Sequence, residues 1–202
     1  MDLYIATGNA HKVEELQALL SANLPDIQVH SAKALGGMPP VVEDQDTFQG
    51  NALLKARALW KVSKGQPVLA DDSGLCVDAL DGAPGIFSAR FAGPGASDAD
   101  NRAKLLKELA EILERGRKAY FSCVLAYIDA NGDEHSFSGE CHGAITLEEE
   151  GAGGFGYDPI FRPEGFQETF GTLPPETKNC LSHRARALQE FVRFLSGELA
   201  RS

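Results

Sequence analysis

Val68-Leu69-Ala70-Asp71-Asp72-Ser73-Gly74 is a short apolar run that stops at two adjacent carboxylates and a Ser-Gly pair. The run predicts a buried strand, and the acids and Ser-Gly predict a turn at its end. Neighbouring carboxylates repel, and an acid beside a core needs a partner. A strand end that presents carboxylate oxygens suits a hard divalent cation such as magnesium.

Around this strand the chain alternates helical and extended patterns. Leu3 to Ala6 reads as a strand, Thr7-Gly8-Asn9 as a turn, and His11 to Ala22 as a helix with Val13, Leu16, Leu19 and Leu20 on one face. Asn9 is its expected N-cap. This unit gathers Thr7, Lys12 and free backbone N–H groups at a helix N-terminus, where an anion is favoured. It is not a Walker A loop, because GxxxxGK[ST] is absent. Thr47 or Asp46 caps a second helix over Phe48 to Ser63, and Lys55 falls on its apolar stripe. Ser97 or Asp98 opens a third, running to about Arg115. Tyr120 to Ile128 and the stretch from His135 form a hairpin around Asn131-Gly132, predicted as a type I′ turn. A last helix starts near Ser182. Helices mixed with hairpins predict an α/β fold with a mixed sheet. Neither repeats nor long linkers interrupt residues 1–202, which read as a single domain.

Composition narrows the function. With 202 residues, 43% of them hydrophobic, the chain is large enough for a sizeable core, and no apolar run reaches the roughly 20 residues of a membrane span. The N-terminal residues lack the basic region of a signal peptide. Cys76, Cys123, Cys141 and Cys180 have no CxxC spacing; they read as free thiols in a reducing, cytoplasmic setting and argue against zinc. The formal net charge of −10 argues against a nucleic-acid binder. A phosphate-bearing substrate would need cations gathered locally, from lysines and a bound metal.

Two further segments carry chemistry. Gly151-Ala152-Gly153-Gly154-Phe155-Gly156 matches GxGxxG but is followed by Tyr157-Asp158-Pro159 where a helix should open, so the dinucleotide reading fails. It reads instead as a flexible loop that delivers Phe155 and Tyr157 for stacking on a base, with Asp158 beside them. In Ser182-His183-Arg184 a cation enters the first turn of a helix against the macrodipole. That placement points to an anion or a carbonyl oxygen as its target, with Lys178 a second cation just upstream.

Taken in order, Thr7-Gly8-Asn9-x-x-Lys12, Ala70-Asp71-Asp72-Ser73-Gly74, Gly82-Ala83-Pro84-Gly85, Gly153-Gly154-Phe155-Gly156-Tyr157-Asp158-Pro159 and Ser182-His183-Arg184 resemble the inosine/xanthosine triphosphate pyrophosphatase family. The resemblance runs from about Leu3 to Leu195. It implies an elongated mixed sheet flanked by helices, two lobes with an active-site cleft between them, and a cytoplasmic homodimer. It also implies magnesium-dependent hydrolysis of ITP, dITP and XTP to the monophosphate and pyrophosphate, removing deaminated purines from the nucleotide pool. Carried over by position, Thr7, Gly8, Asn9 and Lys12 hold phosphates with Lys55 nearby. Asp72 is the catalytic carboxylate and a metal ligand, and Glu43 a second ligand. Ser73, Phe155, Gly156, Tyr157, Asp158, Lys178, His183 and Arg184 line the substrate site. Manganese, also a hard oxygen-seeking ion, is the alternative to magnesium.

The family often carries Thr-Phe-x-Glu-Asn-Ala where this chain has Gly50, which leaves Glu43, Asp71 and Asp72 as the acids for a metal. Arg184 has only donors, so it would favour the 6-keto group of hypoxanthine or xanthine over the amino group of adenine. The rival readings are a Maf-like pyrophosphatase acting on other nucleotides and a nucleotide sensor without turnover.

Overall fold

The computed structural model describes residues Met1–Leu199, and among them six strands form one mixed sheet in the order β2-β1-β3-β4-β5-β6. The strands are β1 (Asp2–Ala6), β2 (Gln28–Ser31), β3 (Val68–Val77), β4 (Lys118–Ile128), β5 (Glu134–Ile145) and β6 (Phe161–Pro163). The helices are α1 (Ala10–Asn23), α2 (Phe48–Trp60), α3 (Asp98–Glu108), α4 (Pro175–Leu181) and α5 (His183–Leu199). β1 runs parallel to β2 and β3, whereas β6 is antiparallel to β5. The expected α/β class with a mixed sheet is what the chain adopts.

The chain forms two compact units. The first comprises Met1–Asp72, Cys123–Gly139 and the segment from Arg184; the second comprises Ser73–Ser122 and Glu140–His183. Strands β3, β4 and β5 each contribute residues to both.

In the first unit the period-two alternation of strand side chains sorts residues to two faces. Leu3, Ile5, Leu69, Cys123, Leu125 and Tyr127 pack with Leu16, Leu19 and Leu20 of α1 and with Leu188 and Phe191 of α5. Ala6, Val68, Ala70, Ala126 and Ile128 pack with Ala52, Ala56 and Leu59 of α2. The second unit has its own core, in which Leu75, Val77 and Phe121 meet Leu105 of α3 and the rings of Phe161 and Phe170.

The expected turn at Asp71-Asp72-Ser73-Gly74 does not form. β3 continues through it as a ten-residue strand, buried at every position except half-buried Ser73. The acids tolerate this because alternation sends them to opposite faces: Asp71 follows Leu69 to the α1/α5 side, and Asp72 follows Ala70 to the α2 side.

Two other boundaries also differ. α3 ends at Glu108; beyond it the chain passes into three-residue turns, and the buried Arg117 guanidinium takes the carbonyls of Leu109 and Ile112, which a longer helix would use, together with that of Thr146. The β4–β5 turn is not type I′, since Gly132 has positive φ and Asn131 does not. Asp129 instead accepts the N–H groups of Asn131 and Asp133 on its carboxylate.

Candidate active site

In the first unit, register brings the end of β1 beside the acids. Ala6 lies opposite Ala70, so the chain leaves the carboxyl end of β1 next to Asp71, while β3 runs on beyond it. Thr7 Oγ1 accepts the N–H of Asn9, and Asn9 Oδ1 caps α1 by accepting the N–H of Lys12. These bonds present Gly8, Asn9 and Ala10 as exposed backbone and set Lys12 one turn into the helix.

Lys12 pairs with Asp71, which is fully buried. The Nε of Arg184 lies 3.1 Å from Asp71 Oδ2, and the Cys123 thiol donates to the same oxygen at 3.1 Å. Arg184 also pairs through Nη1 with Glu15. Burial alone would raise the Asp71 carboxyl; the Arg184 guanidinium and the Lys12 ammonium outweigh it and hold the group well below the usual carboxylate range. The placement of Arg184 at the start of α5 therefore has a structural cause that the sequence reading missed: two carboxylates outweigh the unfavourable macrodipole.

On the other face, Lys55 Nζ lies 2.6 Å from Asp72 Oδ1 and 3.5 Å from Glu43 Oε2. Lys55 is buried, so its place on the apolar stripe of α2 aims it at an acid, not at solvent. Burial raises the Asp72 carboxyl above its ordinary value, and the cations Lys55 and Lys12 only partly offset this. Glu43 reaches Lys55 from a loop pinned on the start of α2. Gln45 N–H donates to Asn51 Oδ1, Thr47 Oγ1 caps Gly50 N–H, and a Cβ on Gly50 would lie 2.7 Å from Gln45 Cβ. The missing side chain at residue 50 thus makes room for the loop that carries Glu43.

One ammonium lies within reach of both Glu43 and Asp72, so the two carboxylates converge on a single cation position. Asp71 is enclosed by Lys12, Arg184 and Cys123 on the opposite face of β3. Among the described residues, no group of three or more His, Cys, Asp or Glu side chains is arranged to hold a metal by itself. Two carboxylates suit a magnesium ion that keeps waters and takes substrate oxygens for its remaining positions.

In the second unit, Lys178 Nζ lies 2.7 Å from Asp158 Oδ2, and both residues are buried. The same oxygen accepts the N–H of Phe155 at 2.8 Å, and Lys178 sits 4.8 Å above the Phe155 ring. Tyr157 is a loop anchor: its ring lies in the core, and its hydroxyl donates to the Ser88 carbonyl at 2.9 Å. Phe155 and Gly156 are half-buried. His183 stacks on Phe121, with centroids 4.8 Å apart and planes 13° from parallel. Ser73 is the half-buried residue of β3.

The loop depends on glycine. Gly154 has a φ of 70°, and a Cβ there would run into the Asp158 carboxylate. Gly154→Ala is expected to cost about 1–2 kcal/mol for the left-handed backbone alone. It should also displace Asp158 from Lys178, which a thermal melt and a substrate titration would register as a lower midpoint and a higher KM.

In the first unit Lys55, Glu43 and Asp72 thus meet on one face of β3, and Lys12 and Arg184 meet Asp71 on the other; Phe155, Gly156, Asp158 and Lys178 lie together in the second. Glu15 and Cys123 were missed. Glu15 gave a signal, since it lies beside Leu16 and one turn before Leu19, where a half-buried acid needs a cation. Cys123 gave none beyond an apolar setting.

Comparison with known proteins places nearly the whole chain among relatives. A model of the Ham1 family matches residues 3–194. A dITP/XTP pyrophosphatase of Opitutus terrae is 50% identical over 199 residues, covering 96% of this chain and 98% of the relative. The Ham1 protein structure from Staphylococcus aureus superposes with a TM-score of 0.87 at 37% identity, over 98% of this chain and 100% of that one. A HAM1 protein from Coxiella burnetii gives 0.86 at 38% identity, over 98% and 99%.

Proposed function

The chain belongs to the Ham1 family, and we propose that it hydrolyses deaminated purine nucleoside triphosphates (ITP, dITP and XTP) to the monophosphate and pyrophosphate. The observation that carries the reading is Asp72, a buried carboxylate with its pKa raised, beside Lys55 and facing the same cation position as Glu43. A base for water must retain proton affinity, and burial gives the Asp72 carboxylate more of it than an ordinary one has.

In the proposed step, the oxygen of a water bonds to the α-phosphorus and the bond from that phosphorus to the α–β bridging oxygen breaks. Pyrophosphate departs with the electron pair, and the water proton passes to Asp72. Lys12 and Lys55 neutralise phosphate oxygens, and the N–H groups after Thr7 orient them. Glu43 and Asp72 would hold magnesium, or manganese, which supplies charge neutralisation at the phosphates. Lys178, Phe155 and Asp158 are assigned to the nucleoside, together with Ser73, Gly156 and His183. Arg184, fixed in orientation by Asp71 and Glu15, is assigned to the 6-keto oxygen. Tyr157 supports its loop from within the core. The family resemblance extends to a cytoplasmic homodimer; the four free thiols fit a reducing compartment, and sedimentation of the purified chain reads the assembly state.

The test is pyrophosphate release, with magnesium, from the triphosphates of inosine, xanthosine, guanosine and adenosine. Strong turnover of the first two alone supports the reading, and equal turnover of all four would sink it. Binding without turnover would indicate a sensor.

A pH prediction follows from the same pair. Lys55 lowers the Asp72 pKa, so removing the ammonium raises it further. Lys55→Met is expected to move the acid limb of the rate profile to higher pH, besides lowering the rate. An unmoved limb would mean that Asp72 does not set it.

A further inference from the structure

The first five residues of α3 hold both backbone polar groups of Gly156, and so the two successive peptides that flank its Cα in the glycine loop. Asp98 Oδ2 accepts the Gly156 N–H at 2.7 Å, and Arg102 Nη1 donates to the Gly156 carbonyl at 2.8 Å. Asp98 and Arg102 are four residues apart and so share one side of the helix. Arg102 is itself steered: its Nε lies 3.0 Å from Glu149 Oε1, an ion pair without hydrogen-bond geometry. The helix is anchored independently, by the capping box of Ser97 and Asp100 and by Asn101, which bonds the backbone of Ala92 and Ala89. Gly156 has a φ of 60°, a conformation that glycine enters and leaves easily. Without outside contacts its backbone would be among the least constrained in the loop.

We propose that Asp98 and Arg102 are positioning residues for nucleoside recognition: by clamping the N–H and the carbonyl of Gly156 they fix the backbone on both sides of its Cα, and with it Phe155, and so set affinity for the base without touching it. The inference rests on the assignment of Phe155 to the nucleoside. Phe155 is held on its other side by Asp158 and Lys178, so the clamp completes a two-sided mount for its ring. The α3 residues affect binding of the base but not of the phosphates.

The experiment compares Asp98→Ala and Arg102→Gln with the conservative Asp98→Asn, which retains an acceptor oxygen. For deoxyinosine triphosphate, KM is expected to rise about tenfold in each of the first two, the effect of one charge-assisted hydrogen bond. kcat should stay within about twofold, as for loss of uniform binding. Inhibition by inorganic triphosphate, which has no base, should be unchanged, and Asp98→Asn should recover most of the affinity. Amide exchange at Gly156, which requires no substrate, should accelerate in Asp98→Ala. That variant removes an exposed side chain and leaves the Ser97 cap intact, so the fold should survive.

A KM that does not move, or one that moves together with inorganic triphosphate inhibition, would overturn the proposal. Unchanged Gly156 exchange would overturn the clamp whatever the activity. Faster Gly156 exchange in a protein whose wild type turns over no deaminated purine triphosphate would support the clamp and sink the functional reading alone.

Discussion

Asp72→Asn is expected to lower pyrophosphate release by about 10³-fold, within the range for removal of a positioned base, while the protein stays folded. The asparagine is nearly isosteric, so packing of β3 against α2 is preserved. It can still accept from Lys55 but has lost the proton affinity that burial gives the carboxylate. Because Asp72 is also a proposed magnesium ligand, the metal concentration for half-maximal rate should rise as well. The two roles separate on titration: if excess magnesium restores most of the rate, Asp72 acts chiefly through the metal, and if it does not, as the base. A loss smaller than tenfold would remove Asp72 from both roles.

The second large effect concerns stability. Arg184 is 1% exposed and faces Asp71, which is 0% exposed. Arg184→Ala would leave Asp71 with Lys12 as its neighbouring cation beside the Cys123 thiol, and Glu15 without its guanidinium. Breaking a buried pair by removing one partner destabilises by about 3–5 kcal/mol, equivalent to a drop on the order of 10 °C in Tm for a chain of this size. Asp71→Asn should do comparable damage by leaving two cations under-neutralised.

The pH dependence has a definite sign. The folded pKa of Asp71 is depressed, so its contribution is present above the unfolded carboxylate pKa and is lost as pH falls through the folded one. The gap in Tm between wild type and Asp71→Asn should therefore be full at neutral pH and close only in strong acid. A gap that closed at mildly acid pH would mean that Asp71 is not held as the geometry indicates. A base-selection assay on Arg184→Ala belongs beside the melt. Equal loss on inosine and adenosine triphosphates would leave Arg184 a purely structural residue.

Local signals in the sequence were legible to within a residue or two. Asn9 caps α1 as expected, Thr47 rather than Asp46 caps α2, Ser97 rather than Asp98 caps α3, and the start of β3 lies at Val68. Chemistry-bearing residues were legible as types, since Lys55 on an apolar stripe and acids beside a buried run both require partners. What the sequence could not show was which partner each one finds. That Asp71 and Asp72 face opposite sides of a continuous strand depends on helices covering both faces, a fact set by residues far along the chain. The end of α3 was hidden for a similar reason, because Arg117, beyond the helix, takes carbonyls that a longer helix would use. α4, only seven residues long, is too short for a periodic pattern to declare itself.

The order in which a ribosome releases the chain gives the Arg184–Asp71–Lys12 cluster a further meaning. Its members lie at residues 12, 71, 123 and 184, so each arrives at a different stage of synthesis, and the guanidinium arrives last. Until α5 emerges, Lys12 and Asp71 lack Arg184, and the face of the sheet that α5 covers lies open to water. The charges that would grip a nucleotide are therefore assembled only once residue 184 has been made. Contacts of such long sequence separation slow folding, and they make a competent site a report that everything from Lys12 to Arg184 has been made.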